Sequence, residues 1–186
     1  MTRFDQAIIF AVKAHSGATR KGSSMPYILH PMEAAAIAAT LTDDEEVLMA
    51  AVLHDTLEDT ETTAEDIRRE FGERVLSLVL SDTENKREDR PAAETWEVRK
   101  QETLDALKAA SREELILVLA DKLSNMRSLF RGYLERGDGI FDIFHVKDKS
   151  KQAWYYRGIA ARLAPLKETA AYLEYAELLD RVFGGI

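Results

Sequence analysis

The feature that most constrains this chain is its periodicity. Apolar residues recur at spacings of three and four along nearly the whole sequence, and no segment shows a convincing strand pattern. Phe4, Ile8, Ala11, Val12 and His15 define the face of a first helix, which Gly17 closes. A loop follows, rich in Gly, Ser and Pro, and Pro31 suits the first turn of a second helix whose small residues 34–39 permit close packing. Thr42 with Glu45 predicts a capping box for a third helix over about 43–56. Helices are expected over 63–71, closed by Gly72, and over 73–82, 95–110, 112–131, 149–163 and 168–183. The apolar run 115–120 would by itself also suit a buried strand, but Leu123, Met126, Leu129 and Phe130 continue it with helical spacing. The polar stretch 82–94, with Pro91 inside it, reads as a surface loop or a mobile lid. These elements make an all-α chain, and its 186 residues suit a single domain.

Composition narrows the chemistry. There is no cysteine, which removes disulfide frameworks, thiolate metal sites and cysteine nucleophiles together, so any metal must be held by His and carboxylates. The 25 Lys and Arg against 33 Asp and Glu leave a formal charge of −8, the wrong sign for a broad nucleic-acid surface. Arg3, Asp5, Gln6 and Lys13 interrupt the N-terminal stretch too regularly for a signal peptide. The run 115–120 is far shorter than the roughly 20 residues of a membrane span. A soluble cytoplasmic protein without nucleic-acid or membrane partners is expected, its oligomeric state left open.

Three fragments carry chemistry. His54-Asp55-Thr56-Leu57-Glu58-Asp59 follows an apolar helix and sets two metal-ligand types beside two further carboxylates. Asp121 ends a run of apolar residues, and a buried carboxylate needs a cation, either Arg, Lys or a metal. Asn125 lies one turn further on the same helical face. His30 stands at a loop-to-helix junction, from which an imidazole can be aimed into a cavity, and Arg20 and Lys21 precede it with donors suited to phosphate oxygens. Each fragment also has an ordinary reading: a capped histidine, a structural ion pair, a solvated acidic loop, a solvated basic turn. His15 and His145 read as structural or surface residues.

Order and spacing point further. The series Ala14-His15, Arg20-Lys21-Gly22, Pro26-Tyr27-Ile28-Leu29-His30-Pro31, Ala50 through Thr60, Phe71-Gly72 and Leu119 through Arg127 resembles the HD-type hydrolase domain of RelA/SpoT enzymes, above all the stand-alone small alarmone hydrolases. The resemblance spans residues 4–130, with the helices of 131–186 expected to pack on that core. It implies an all-helical HD-domain bundle with one divalent ion, typically Mn²⁺, held by His30, His54, Asp55 and Asp121. It gives Glu58 and Asp59 the task of orienting or deprotonating the attacking water, without singling out either as the base. It implies guanosine tetra- or pentaphosphate as substrate, cleaved at the 3′ position to pyrophosphate and GDP or GTP. Arg20, Lys21 and Asn125 match nucleotide contacts, and Lys151 and Tyr155 match a basic residue and tyrosine near the phosphates. Two departures stand out. Ser124 replaces the His that long bifunctional enzymes usually carry before the Asn, and Asp82-Thr83-Glu84-Asn85-Lys86 replaces a more typical Val-Thr-Lys segment. A phosphomonoesterase acting on NADPH or a nucleoside monophosphate, or a non-catalytic alarmone-binding module, are the alternatives.

Overall fold

A computed structural model describes residues 1–87 and 89–184 of the chain, so Glu88 in the 82–94 stretch and the last two residues of the 1–186 domain lie outside the described residues. Among the described residues ten α-helices run in order: α1 Arg3–Ala14, α2 Leu29–Ala38, α3 Glu45–Leu53, α4 Thr56–Asp59, α5 Ala64–Phe71, α6 Glu73–Asp82, α7 Ala92–Ala106, α8 Arg112–Arg136, α9 Lys149–Arg162 and α10 Ala170–Phe183. Among the described residues there is no strand, only an isolated antiparallel bridge between Thr19 and Pro26. The all-helical expectation is met, and among the described residues no helix is long and apolar enough to cross a membrane. Residues Met1–Thr83 and Ile116–Ser124 form one compact unit, Glu84–Leu115 and Asn125–Ile186 a second.

Local chemistry starts these helices. Thr2 with Asp5, Thr63 with Asp66 and Ser111 with Glu114 are reciprocal capping boxes that satisfy orphan N–H groups at α1, α5 and α8. The box expected from Thr42 and Glu45 does not form. Asp44 caps α3 instead, accepting from Glu46 N at 3.0 Å, while Thr42 Oγ1 accepts from Asp44 N at 3.1 Å. Asp44 wins because it sits directly before the helix and its carboxylate also takes both guanidinium nitrogens of Arg74, at 3.1 and 2.6 Å. Gly72, at φ +91°, ends α5 and opens α6, a left-handed conformation that a side chain would strain.

In the first unit α3 is the central helix. Val47 and every residue from Met49 to Leu53 are fully buried, because α1, α2 and α6 pack around it. On α1 the buried face is Ala7, Ala11 and His15, and Val12, expected inside, is exposed; alanines allow the close approach to α3 that a valine face would not. The run 115–120 is helical and buried throughout, which explains why its apolar pattern alone suits either helix or strand.

In the second unit α7, α9 and α10 pack together. Tyr175 Oη donates to Tyr156 O at 3.0 Å and Tyr172 Oη to Ala160 O at 3.2 Å, tying α10 to α9. The 82–94 stretch is helical up to Asp82 and again from Ala92, and its middle is fastened to α7. Glu84 accepts from Arg99 at 2.7 Å and from Lys100, and Arg87 pairs with Glu102 at 2.9 and 2.6 Å. Gly158 of α9 sits against Leu104, where an added Cβ would meet Leu104 Cδ1 at 2.7 Å. Gly158→Ala is therefore expected to destabilise the protein by about 1–3 kcal/mol through overpacking, seen as a lower urea midpoint at unchanged m-value.

Candidate metal centre

The centre is assembled where α3 ends. That helix was expected to continue to residue 56 but stops at Leu53, with Thr56 Oγ1 donating to the Leu53 carbonyl at 2.7 Å, and the chain restarts as the short α4. The interruption presents His54 and Asp55 together. His30 enters from the first turn of α2 and Asp121 from the middle of α8. His30, His54 and Asp121 are buried and each offers a ligand atom within 4.8 Å of the others.

The edges of this cluster are short. His54 Nε2 lies 3.2 Å from His30 Nε2 and 3.0 Å from Asp55 Oδ2; His30 Nε2 lies 3.4 Å from Asp55 Oδ2 and 3.1 Å from Asp121 Oδ1; His54 Nε2 lies 3.6 Å from Asp121 Oδ1. Ligands bound at about 2.1 Å to one ion stand roughly 3.0–3.4 Å apart in octahedral or tetrahedral geometry, so the donor set fits a divalent cation. The hydrogen bonds on the far sides of the rings agree. His54 Nδ1 lies 2.8 Å from the Ala51 carbonyl, which can only accept, so Nδ1 carries a proton and Nε2, facing the carboxylates, is the position that either a second proton or a cation fills. An all-nitrogen-and-oxygen set suits Mn²⁺, Fe²⁺ or Zn²⁺.

Electrostatics point the same way. Burial favours neutral His54, but the charges of Asp55 and Asp121 and their hydrogen bonds outweigh it and hold the ring's pKa well above the ordinary value. Burial pushes Asp55 and Asp121 up, and it is overcome in Asp55 chiefly by His54 and in Asp121 chiefly by Lys122, so both carboxyls sit well below the usual range. The pocket is built to hold positive charge.

Further residues join the centre. Tyr27 Oη lies 2.7 Å from Asp55 Oδ2 and 2.9 Å from Asp59 Oδ2, its single proton shared between the two, which links a cluster carboxylate to one of the two carboxylates expected to handle water. Burial and those two negative charges raise the Tyr27 pKa, keeping the phenol protonated. His15 is buried and stacks on Tyr27 at 4.9 Å, and Arg20 lies over the other partner of that stack, 5.5 Å from the Tyr27 centroid. Lys21 is exposed in the same loop, and Glu58 sits on α4 beside Asp59. Asp82 closes α6, and burial pushes its carboxyl up to about 6, reinforced by Asp121 and Asp55 and opposed by Lys122 and His54. Sequence reasoning passed over Tyr27, Lys122 and Asp82 as parts of the centre. The signal for Asp82 was the one that singled out Asp121, an Asp at the end of an apolar helical stretch.

Asn125, Lys151 and Tyr155 belong to the second unit. Lys151 is exposed and pairs with Glu97 at 3.0 Å. Tyr155 is buried against Trp96 and Tyr156, and the cation over its ring is Lys100, at 4.7 Å. Of the aromatic trio on α9, Tyr155 and Tyr156 are core and Trp154 is exposed.

Comparison with known proteins adds the lineage. A guanosine-3′,5′-bis(diphosphate) 3′-pyrophosphohydrolase of Aquifex aeolicus is 38% identical over 125 residues, 67% of this chain and 17% of that protein. The bifunctional (p)ppGpp synthase/hydrolase SpoT of Escherichia coli K12 is 40% identical over 130 residues, 68% of this chain and 18% of SpoT. The chain thus spans under a fifth of the length of these curated relatives. A solved structure of a metazoan ortholog of SpoT, described as hydrolysing ppGpp, superposes with a TM-score of 0.79 at 25% identity, covering 97% of this chain and 96% of that one. The HD domain model matches residues 7–138, the stretch that carries His30, His54, Asp55 and Asp121, and the chain belongs to the HD domain family.

Proposed function

We propose that this protein is a Mn²⁺-dependent 3′-pyrophosphohydrolase of guanosine tetra- or pentaphosphate, yielding pyrophosphate and GDP or GTP in the cytoplasm. The observation that carries the reading is the convergence of two imidazoles and two carboxylates at ion-ligand spacing, in a chain similar to relatives named for that reaction. His30, His54, Asp55 and Asp121 would hold the ion, which when bound polarises a phosphoryl oxygen and makes water a better nucleophile near neutral pH.

The chain's own groups do the remaining work. Water oxygen bonds to the 3′ phosphorus as the bond from phosphorus to the ribose 3′ oxygen breaks, the proton lost by water passes to a carboxylate, Glu58 or Asp59, and the departing oxygen takes up a proton from solvent to become the 3′ hydroxyl. The Tyr27 hydrogen bonds hold Asp59 beside Asp55, which supports a water-orienting role for Asp59. Arg20 and Lys21 supply positive charge to a substrate rich in phosphate, offsetting the −8 of the chain, and Asn125, Lys151 and Tyr155 are the other proposed nucleotide contacts.

The test is product-resolved turnover by the purified protein with Mn²⁺ across guanosine tetraphosphate, NADPH and nucleoside monophosphates. Pyrophosphate released from guanosine tetraphosphate is the expected outcome. Orthophosphate from NADPH or a monophosphate would overturn the substrate, and stoichiometric nucleotide binding without turnover in metal-loaded protein would overturn catalysis. Ion binding has its own expected signature. Mn²⁺ at about 100 times its Kd adds about 2.7 kcal/mol to stability, so Tm should rise by roughly 5–10 °C in a thermal melt.

A further inference from the structure

Behind the ligand cluster lies a second layer with the same spacing. Glu33 follows His30 by three residues on α2, and Ser124 follows Asp121 by three on α8, so each stands one turn behind a ligand of its own helix. The two meet. Ser124 Oγ donates to Glu33 Oε2 at 2.6 Å, and His30 Nδ1 lies 2.8 Å from the same Ser124 Oγ. Ser124 and His30 are 2% and 4% exposed, so water does not compete for the bond between them, while Glu33 is half-buried.

Counting protons gives the chain a direction. An ionised carboxylate only accepts, and a serine hydroxyl has a single proton to give. With that proton spent on Glu33, Ser124 Oγ can only accept from His30, so the imidazole carries its proton on Nδ1 and turns the Nε2 lone pair towards His54, Asp55 and Asp121. We propose that Ser124 and Glu33 are positioning residues whose hydrogen-bond relay fixes the tautomer and ring orientation of His30 for a divalent cation. The Ala51 carbonyl performs the same service for His54, by main chain rather than by side chain. Ser124, the residue that departs from the resemblance, is thus a working part of this centre, paired with a carboxylate placed to receive its proton. This inference rests on the reading of the cluster as a metal site and is independent of the substrate.

The experiment measures Mn²⁺ binding by calorimetry and the visible ligand-field bands of the Co²⁺-loaded protein, in the parent and in Ser124→Ala, Ser124→Thr and Glu33→Gln. Loss of the hydroxyl in Ser124→Ala should weaken Mn²⁺ binding about 10–100-fold and shift the Co²⁺ bands. Ser124→Thr keeps the hydroxyl and should restore both. Glu33→Gln can still accept through its amide oxygen, so it should bind more weakly than the parent but more tightly than Ser124→Ala, and it keeps the relay testable should Ser124→Ala fail to fold. Parent-like affinity and an unshifted Co²⁺ spectrum in Ser124→Ala and Glu33→Gln overturn the relay. A parent that binds neither ion overturns the metal centre and the relay with it, whereas ion binding that responds to Ser124 without pyrophosphate release upholds the relay and overturns only the proposed substrate.

Discussion

Asp121→Asn is expected to abolish Mn²⁺-dependent pyrophosphate release while leaving the fold intact. The carboxylate is 4% exposed, with Oδ1 3.1 and 3.6 Å from the two imidazole Nε2 atoms and Oδ2 paired with Lys122. Asn keeps the shape and removes the charge, so the cluster loses one of its two anionic ligands and Lys122 loses one negative neighbour. A metal ion contributes several kcal/mol to transition-state charge stabilisation in phosphoryl chemistry, so the rate should fall on the order of 10³-fold or more. Circular dichroism should remain helical, and the Tm rise with Mn²⁺ should disappear. Undiminished turnover in Asp121→Asn would remove Asp121 from the ligand set.

The second large effect is expected at the pair on α4. Asp59→Asn and Glu58→Gln should each keep the Mn²⁺-induced rise in Tm, since neither belongs to the His30, His54, Asp55 and Asp121 cluster. A carboxylate that takes or steers the proton of the attacking water is worth about 10²–10⁴ in rate, and the loss should appear in kcat with little change in KM. Tyr27→Phe separates orientation from proton transfer. It removes the hydroxyl that bridges Asp55 and Asp59 but leaves both carboxylates, so its cost should be smaller than that of Asp59→Asn and should vanish in an Asp59→Asn background. Additive losses in the double variant would show that Tyr27 does not act through Asp59.

Much of the fold was legible because helices are written locally. The helix starts near 63 and 112, the glycine at 72 and the three-and-four spacing are all readable within a few residues, and the structure adds the capping boxes of Thr63 and Ser111 behind those starts. Local reading failed where a distant partner decided the outcome. Asp44 rather than Thr42 caps α3 because Arg74, far along the chain, holds its carboxylate. Val12 is exposed because the approach of α3 selects the alanine face of α1. The 82–94 stretch reads as a loop from its polarity and Pro91, and its described residues between Asp82 and Ala92 are non-helical; what the sequence does not show is that Glu84 and Arg87 find their counter-charges on α7.

The site divides in the same way. The absence of cysteine determined that any metal here is held by His and carboxylate, and the resemblance carried by the motifs implied His30, His54, Asp55 and Asp121 as its ligands before any contact was visible. Only the tertiary structure decided that α3 breaks to aim His54 and Asp55, that Tyr27 ties Asp59 to Asp55, and that Ser124 and Glu33 stand behind His30. The physical reason is range. Ligand chemistry belongs to single side chains, whereas tautomer, orientation and charge depend on groups up to 94 residues away that meet only when the helices pack.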